Sequence, residues 1–134
     1  MTMLRTELFG PTLVSIADPQ QAISSFFHKA FLEQQDEERL ANGCLFLNAI
    51  SALNKTEPEL ADRAIDSVRW IRELMLSRLV EAQQLGQIST DKNPAELADY
   101  LIALLSGLRA LCKTGADGTT LQPVIATGLS TVFS

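Results

Sequence analysis

The stretch 93–115, NPAELADYLIALLSGLRALCKTG, decides the fold. Both of its ends are marked. Asn93 can cap a helix, Pro94 suits the first helical position where no N–H is needed, and Glu96 stands where a capping acid reaches back. Gly115 is a natural residue just past a helix end, and the charge of Lys113 suits the negative end of the helix dipole. Between these signals the polar side chains fall at Glu96, Asp99, Ser106, Arg109 and Lys113, one narrow stripe. Apolar residues cover the rest of the circumference, among them Tyr100, Leu101, Leu104, Leu105, Leu108 and Cys112. A helix apolar around most of its girth needs cover on more than one side. That cover is either its own chain or a second copy.

Downstream, Thr114 to Thr119 is a turn-rich connection, and the tail Thr120 to Phe133 carries an apolar stripe at helical spacing: Leu121, Val124, Ile125, Gly128, Leu129 and Val132. Ala126 and Gly128 are small enough for close helix approach. Pro123 is tolerated if it falls in the first turn. Several β-branched residues lower helix propensity here, so packing has to hold this helix.

Upstream, Thr56-Glu57-Pro58-Glu59 is a further start signal, and no Gly or Pro interrupts the chain from there to Leu85, with Gly86 as the stop. Leu60, Ala64, Val68, Ile71, Met75, Leu79, Ala82 and Leu85 form one seam at steps of four and three, widened by Ile65, Trp70, Leu74, Leu76 and Val80. Asp18-Pro19-Gln20-Gln21 repeats the cap-proline signal and opens a helix reaching about Gln35. Its apolar face holds Phe26, Phe27 and Phe31, which serve either as core or as the wall of a ligand pocket. The run from Gly43 to Leu53 is apolar almost all round and reads as a short buried helix. Its Asn48 needs a polar partner, whether backbone or ligand. In the first seventeen residues, Leu4 to Phe9 reads as helical, with Pro11 kinking that helix or starting another. No alternating strand pattern of useful length appears, so the chain is expected to be all-α, an antiparallel bundle of about six helices forming one domain over 1–134.

Composition narrows function. The chain has 134 residues, 46% hydrophobic and 20% charged, with net charge −5 and an isoelectric point near 4.8. Readers of a phosphate backbone carry basic patches, so direct nucleic-acid binding by this chain is not expected. Cys44 and Cys112 lie in apolar runs without metal-ligand spacing, as buried thiols of a reducing compartment would. The N-terminus lacks the pattern of a signal peptide, and no uncharged run is long enough for a bilayer span, so a cytoplasmic location without membrane contact is expected. No nucleophile elbow, phosphate loop, HExxH or His/carboxylate cluster appears. No enzyme, cofactor or metal site is therefore expected. The single His28 has no partner cluster, and carboxylate pairs such as Asp62/Asp66 read as a solvated face.

Three local patterns, in order, resemble the C-terminal regulatory domain of the TetR (tetracycline-repressor) family of transcription regulators. They are Gly43-Cys44-Leu45 with Asn48; Glu81-Ala82-Gln83 followed by Gly86 and Ile88; and Pro94, Leu97-Ala98, Leu101, Leu104, Gly107-Leu108, Leu111 and Gly115-Ala116. The resemblance covers about two thirds of the chain. It implies that the last two helices, Pro94 to Lys113 and Thr120 to Phe133, pair with their copies as a four-helix bundle in a homodimer. It also implies a mainly apolar cavity among the preceding helices for a small-molecule inducer, apolar or aromatic, that changes the spacing of two DNA-binding heads. The family's N-terminal helix-turn-helix module is expected to be missing, since the segment before Asp18 is short and its only basic residue is Arg5. Operator DNA would then be reached only through such a missing domain. An alternative is a dimerisation-only module without a pocket that sequesters full-length relatives.

On this reading the ligand-facing candidates are Phe27, Phe31, Phe46, Asn48, Trp70, Leu74, Tyr100 and Leu104, bulky or polar residues on apolar faces. The interface candidates are Leu101, Leu105, Leu108, Cys112, Leu121, Ile125, Gly128, Leu129 and Val132. Within the helix that opened this section, Leu101, Leu105, Leu108 and Cys112 are expected to lean toward the partner, and Tyr100 and Leu104 inward.

Overall fold

The computed structural model describes residues 11–32 and 58–134, the side chains of 58–64 excepted. The expected helix at Gly43 to Leu53, with Phe46 and Asn48, lies outside the described residues, as do Leu4 to Phe9. Every regular element among the described residues is helical: a short stretch at 11–15, then α1 (Pro19–Phe31), α2 (Pro58–Gln84), α3 (Pro94–Lys113) and α4 (Gly118–Val132). The fold is all-α.

Local chemistry sets the boundaries. Asp18 caps α1, its carboxylate accepting from the Gln21 amide, and Pro19 fills the first helical position. Asn93 caps α3 by accepting from the Ala95 amide, again with proline next. Two glycines end helices in the left-handed region that side chains with a Cβ avoid: Gly86 at φ 80° and Gly115 at φ 94°. At each, two backbone bonds close the helix. Gln87 N donates to Ala82 O and Gly86 N to Gln83 O, while Ala116 N donates to Leu111 O and Gly115 N to Cys112 O. These are paired Schellman closures, which satisfy carbonyls the helix end would orphan.

The α4 start differs from expectation. Asp117 is its cap, accepting from the Thr119 amide and hydroxyl, so the helix begins at Gly118. Those bonds hold the Asp117 carboxyl below the usual carboxylate range. Pro123 then falls at the sixth helical residue rather than in the first turn. An interior proline removes one ladder bond, so packing has to compensate, as the β-branched composition already required.

The main helix–helix contacts form the cycle α1–α2–α3–α4–α1. Contacts at the ends show that neighbours run antiparallel: Gln87, just past α2, meets Asp18, just before α1, and Lys92, just before α3, meets Thr131 near the end of α4. One apolar core fills the middle, built from Ile23, Phe27 and Phe31 of α1, Ile71, Met75 and Leu79 of α2, Leu101, Leu105 and Leu108 of α3, and Leu121 and Val132 of α4. Phe26 and Phe27 meet edge to face at 5.4 Å, and Phe27 stacks on Phe31 at 6.4 Å. The α2–α3 contact is fastened at its rim, where Arg72 Nε donates to Asp99 Oδ1 at 2.6 Å. That bond holds the Asp99 carboxyl below its ordinary value.

The α2 seam holds at Ile71, Met75, Leu79 and Ala82 but ends there. Leu85 is 60% exposed, because it occupies the residue before Gly86, where the chain leaves helical geometry. Replacing Leu108 by Ala is expected to cost about 2–5 kcal/mol of unfolding free energy, as for other fully buried leucines. Leu85→Ala is expected to change it by less than about 0.5 kcal/mol. Urea denaturation of the two variants checks the contrast.

Candidate functional site

Helix α3 presents two apolar faces, and they are occupied the opposite way from the sequence expectation. Leu101, Leu105, Leu108 and Cys112 are all buried inside the chain's own core. Their spacing of four, three and four residues defines the inward face, so the expectation that they lean toward a partner is corrected. Tyr100 and Leu104, expected to turn inward, lie on the other side. Tyr100 is 38% exposed and Leu104 is half-buried. Hydropathy alone does not rank two apolar faces of one helix. What ranks them here is contact with α1, α2 and α4 within the same chain.

The outer face of α3 runs through Tyr100, Ala103, Leu104, Gly107, Ala110 and Leu111, with Ala103, Gly107 and Ala110 exposed. Beside it α4 contributes Thr120, Val124, Thr127 and Thr131, of which only Val124 is half-buried and the threonines are exposed. No charged residue occurs from Tyr100 to Leu108 or from Gly118 to Ser134. The two helices are drawn together at Gly128. A Cβ built there would lie 2.6 Å from Leu104 Cδ2 and 3.4 Å from the Tyr100 hydroxyl oxygen. The absent side chain therefore leaves the room into which Leu104 packs. Leu121, Ile125, Gly128 and Val132 of the expected interface are buried within the chain and Leu129 is half-buried, so the leucine stripe of α4 faces the chain's own core and its threonine edge faces outward.

The described ligand-facing candidates do not converge. Phe27 and Phe31 are fully buried in the packed core, and Leu74 is half-buried against it. Trp70 stands on the outside of α2, 39% exposed. Tyr100 and Leu104 belong to the outer α3–α4 face. A groove of about 330 Å³, open to solvent, runs between α1 and α4 and is lined by Ser24, Ser25, His28, Leu32, Gln122, Ile125, Ala126 and Leu129. None of the described ligand-facing candidates is among these lining residues.

One residue that sequence reasoning misplaced is Arg109. It was counted on the polar stripe, yet it is 3% exposed. Its guanidinium carbon lies 4.7 Å from the centroid of the Phe31 ring, a cation over an aromatic face. The signal available was position alone, since Arg109 shares the inward side with Leu105 and Cys112. Among the described residues no group of three or more His, Cys, Asp or Glu side chains is placed to hold a metal, and no helix is long and apolar enough to cross a membrane.

A family model described as the tetracyclin repressor-like C-terminal domain matches residues 23–127, most of the chain. This chain belongs to that family. It is thus a TetR-type C-terminal domain, the part of such transcription regulators concerned with ligand binding and dimerisation. Searches of curated proteins and of solved structures found no match. In this TetR-type domain the contact of α3 with α4 depends on the size of residue 128. Gly128→Val is expected to displace Leu104 and lower stability by about 1–3 kcal/mol, as overpacking does. In Gly128→Ala a gain of about 1 kcal/mol in helix propensity offsets most of the smaller clash. Thermal denaturation of the pair checks the order.

Proposed function

We propose that this TetR-type domain pairs with a second copy of itself and senses a small molecule for a cytoplasmic transcriptional repressor, without enzymatic activity. The observation that carries the pairing is the uncharged outer face of α3 and α4, left uncovered although the opposite face of the same helices already fills the core. Small residues at its centre, Ala103, Gly107 and Ala110, let a facing helix come close, and Tyr100, Leu104, Leu111 and Val124 supply apolar area. Charge depletion of this kind marks the centre of subunit interfaces, and the domains of this family typically dimerise. The interface we propose therefore uses the side of each helix away from Leu101, Leu105, Leu108 and Cys112.

For ligand sensing, the reading takes Phe27, Phe31 and Leu74 as an aromatic and apolar wall for an apolar or aromatic inducer. Binding would act by population shift: the inducer favours one arrangement of the pair and changes the spacing of the DNA-binding heads a repressor carries. A second reading, a dimerisation module that sequesters full-length relatives, is favoured by one observation. The described ligand-facing candidates are divided among the packed core, the outer side of α2 and the outer α3–α4 face. Mixing this chain with a full-length relative separates the readings, since loss of operator binding through mixed dimers supports sequestration.

Gly107 offers a clean test of the pairing, because a Cβ there meets nothing within 4 Å in the single chain. Gly107→Lys is expected to keep the fold and gain up to about 1 kcal/mol in helix propensity, yet to be monomeric by sedimentation at concentrations where the parent chain is a dimer. A monomeric parent, or a variant that still pairs, removes this face from the interface. For the ligand, a saturable rise in melting temperature is expected with apolar aromatic compounds, about 2.7 kcal/mol of stabilisation at a hundredfold excess over Kd. The rise should be lost in Phe31→Ala if that wall is correct.

A further inference from the structure

The loop 85–93 ties together parts of the chain that are far apart in sequence. Gln83, in the last turn of α2, donates its side-chain amide to the carbonyls of Ser89 at 2.9 Å and Lys92 at 2.7 Å, which fixes the shape of the loop. On one side, Gln87 Nε2 donates to Asp18 Oδ1 at 2.6 Å. The other oxygen of that carboxylate caps α1. On the other side, Lys92 Nζ donates to the Thr131 carbonyl at 2.7 Å and the Val132 carbonyl at 3.5 Å, and Ser89 N donates to the Ser134 carbonyl at 3.0 Å. Lys92 thereby serves the orphaned carbonyls and the negative end of α4. A turn and a half before Gln83, Arg78 Nη2 donates to the carbonyls of Ile16 and Ala17, both at 2.7 Å. The segment 16–18 is thus held by α2 and this loop, and the same loop holds the last turn of α4.

The arrangement is incompletely satisfied at its centre. Gln87 Oε1 and Arg78 Nε are both buried without a hydrogen bond. Gln87 holds Asp18 through one amide hydrogen bond while the other end of the same amide has none.

We infer that the loop 85–93 is a coupling element: it transmits the position of the last turn of α4, through Lys92 and Gln87, to the segment 16–18 that leads into α1. A displacement of α4 along its axis moves Lys92, shifts Gln87 and loosens Asp18. By linkage, loosening the 16–18 segment weakens the hold on the end of α4 to the same degree. The inference rests on contacts within one chain, so it stands or falls separately from ligand binding and pairing.

Hydrogen exchange on the intact chain tests it. Lys92→Met removes the bonds to α4 and touches nothing in 16–22. It is expected to raise amide exchange in peptides covering 16–22 by at least about fivefold, alongside 129–134, while the centre of α3 keeps its protection. Gln87→Leu is expected to do the reciprocal, raising exchange at 129–134 as well as at 16–22. Lys92→Arg, which keeps a cationic donor at the α4 end, should restore most of the protection at 16–22. Exchange confined to 89–92 and 129–134 in Lys92→Met overturns the coupling. So does a uniform rise that includes the centre of α3, which would mark plain loss of stability.

Discussion

Helix α3 has two apolar faces, and a helix of that kind has to be covered twice. One cover is internal. Leu101, Leu105, Leu108 and Cys112 reach into a core shared with α1, α2 and α4, and burial of such side chains at about 1.5–3 kcal/mol each is the main force holding the bundle. The rest of the fold follows from that placement. α2 is fastened along one flank by Arg72 and Asp99, α4 lies along the other flank through the gap left at Gly128, and the face between those flanks remains uncharged and open. Surface helices of soluble domains normally give that position to charge. Its absence is the physical ground on which a second, external cover is proposed.

Arg109 shows how the same constraint treats a charge. A guanidinium keeps its proton at any accessible pH, and an isolated one is costly to bury. Here the side chain lies over the Phe31 ring with its charge at the end of the core where α1 finishes. A ring face contributes about 0.5–2 kcal/mol to such a cation, which falls short of the several kcal/mol that burial of an ion costs. Phe31 therefore cannot by itself account for the burial. Arg109 marks a point in the core where polarity was retained, and the long apolar stem of arginine lets it do so while still packing beside Leu105 and Cys112.

Much of the fold was legible because helix ends are written in local chemistry. Asp18-Pro19 and Asn93-Pro94 are starts, and Gly86 and Gly115 are stops, since each acts on backbone groups within a few residues. The all-α class was legible for a similar reason: periodicity is a property of one segment. The facing of α3 was not legible. Tyr100, Leu104 and Leu111 are as apolar as Leu101, Leu105 and Leu108, and only the arrival of α1 and α2 from elsewhere in the chain decides which set is enclosed. Arg109 was misread by the same route, since a charge was taken as proof of solvent. The ligand-facing set was chosen by residue type. Residue type does not tell a buried Phe31 from a half-exposed Trp70, because both satisfy the pattern of a bulky side chain on an apolar stretch.

α4 has the least intrinsic reason to be helical. It carries β-branched residues along much of its length, a proline at its sixth position and no charged residue to pair along its surface. Its two ends are accordingly held from outside the helix proper, by Asp117 at the start and by Lys92 at the finish. Leu121, Ile125 and Val132 anchor it to the core along its length. The threonine edge of α4 forms no part of the core, so covering it from outside would add packing that the single chain does not supply. Any such gain acts on the end of α4 that Lys92 holds, and hence on the loop to which Asp18 is bound.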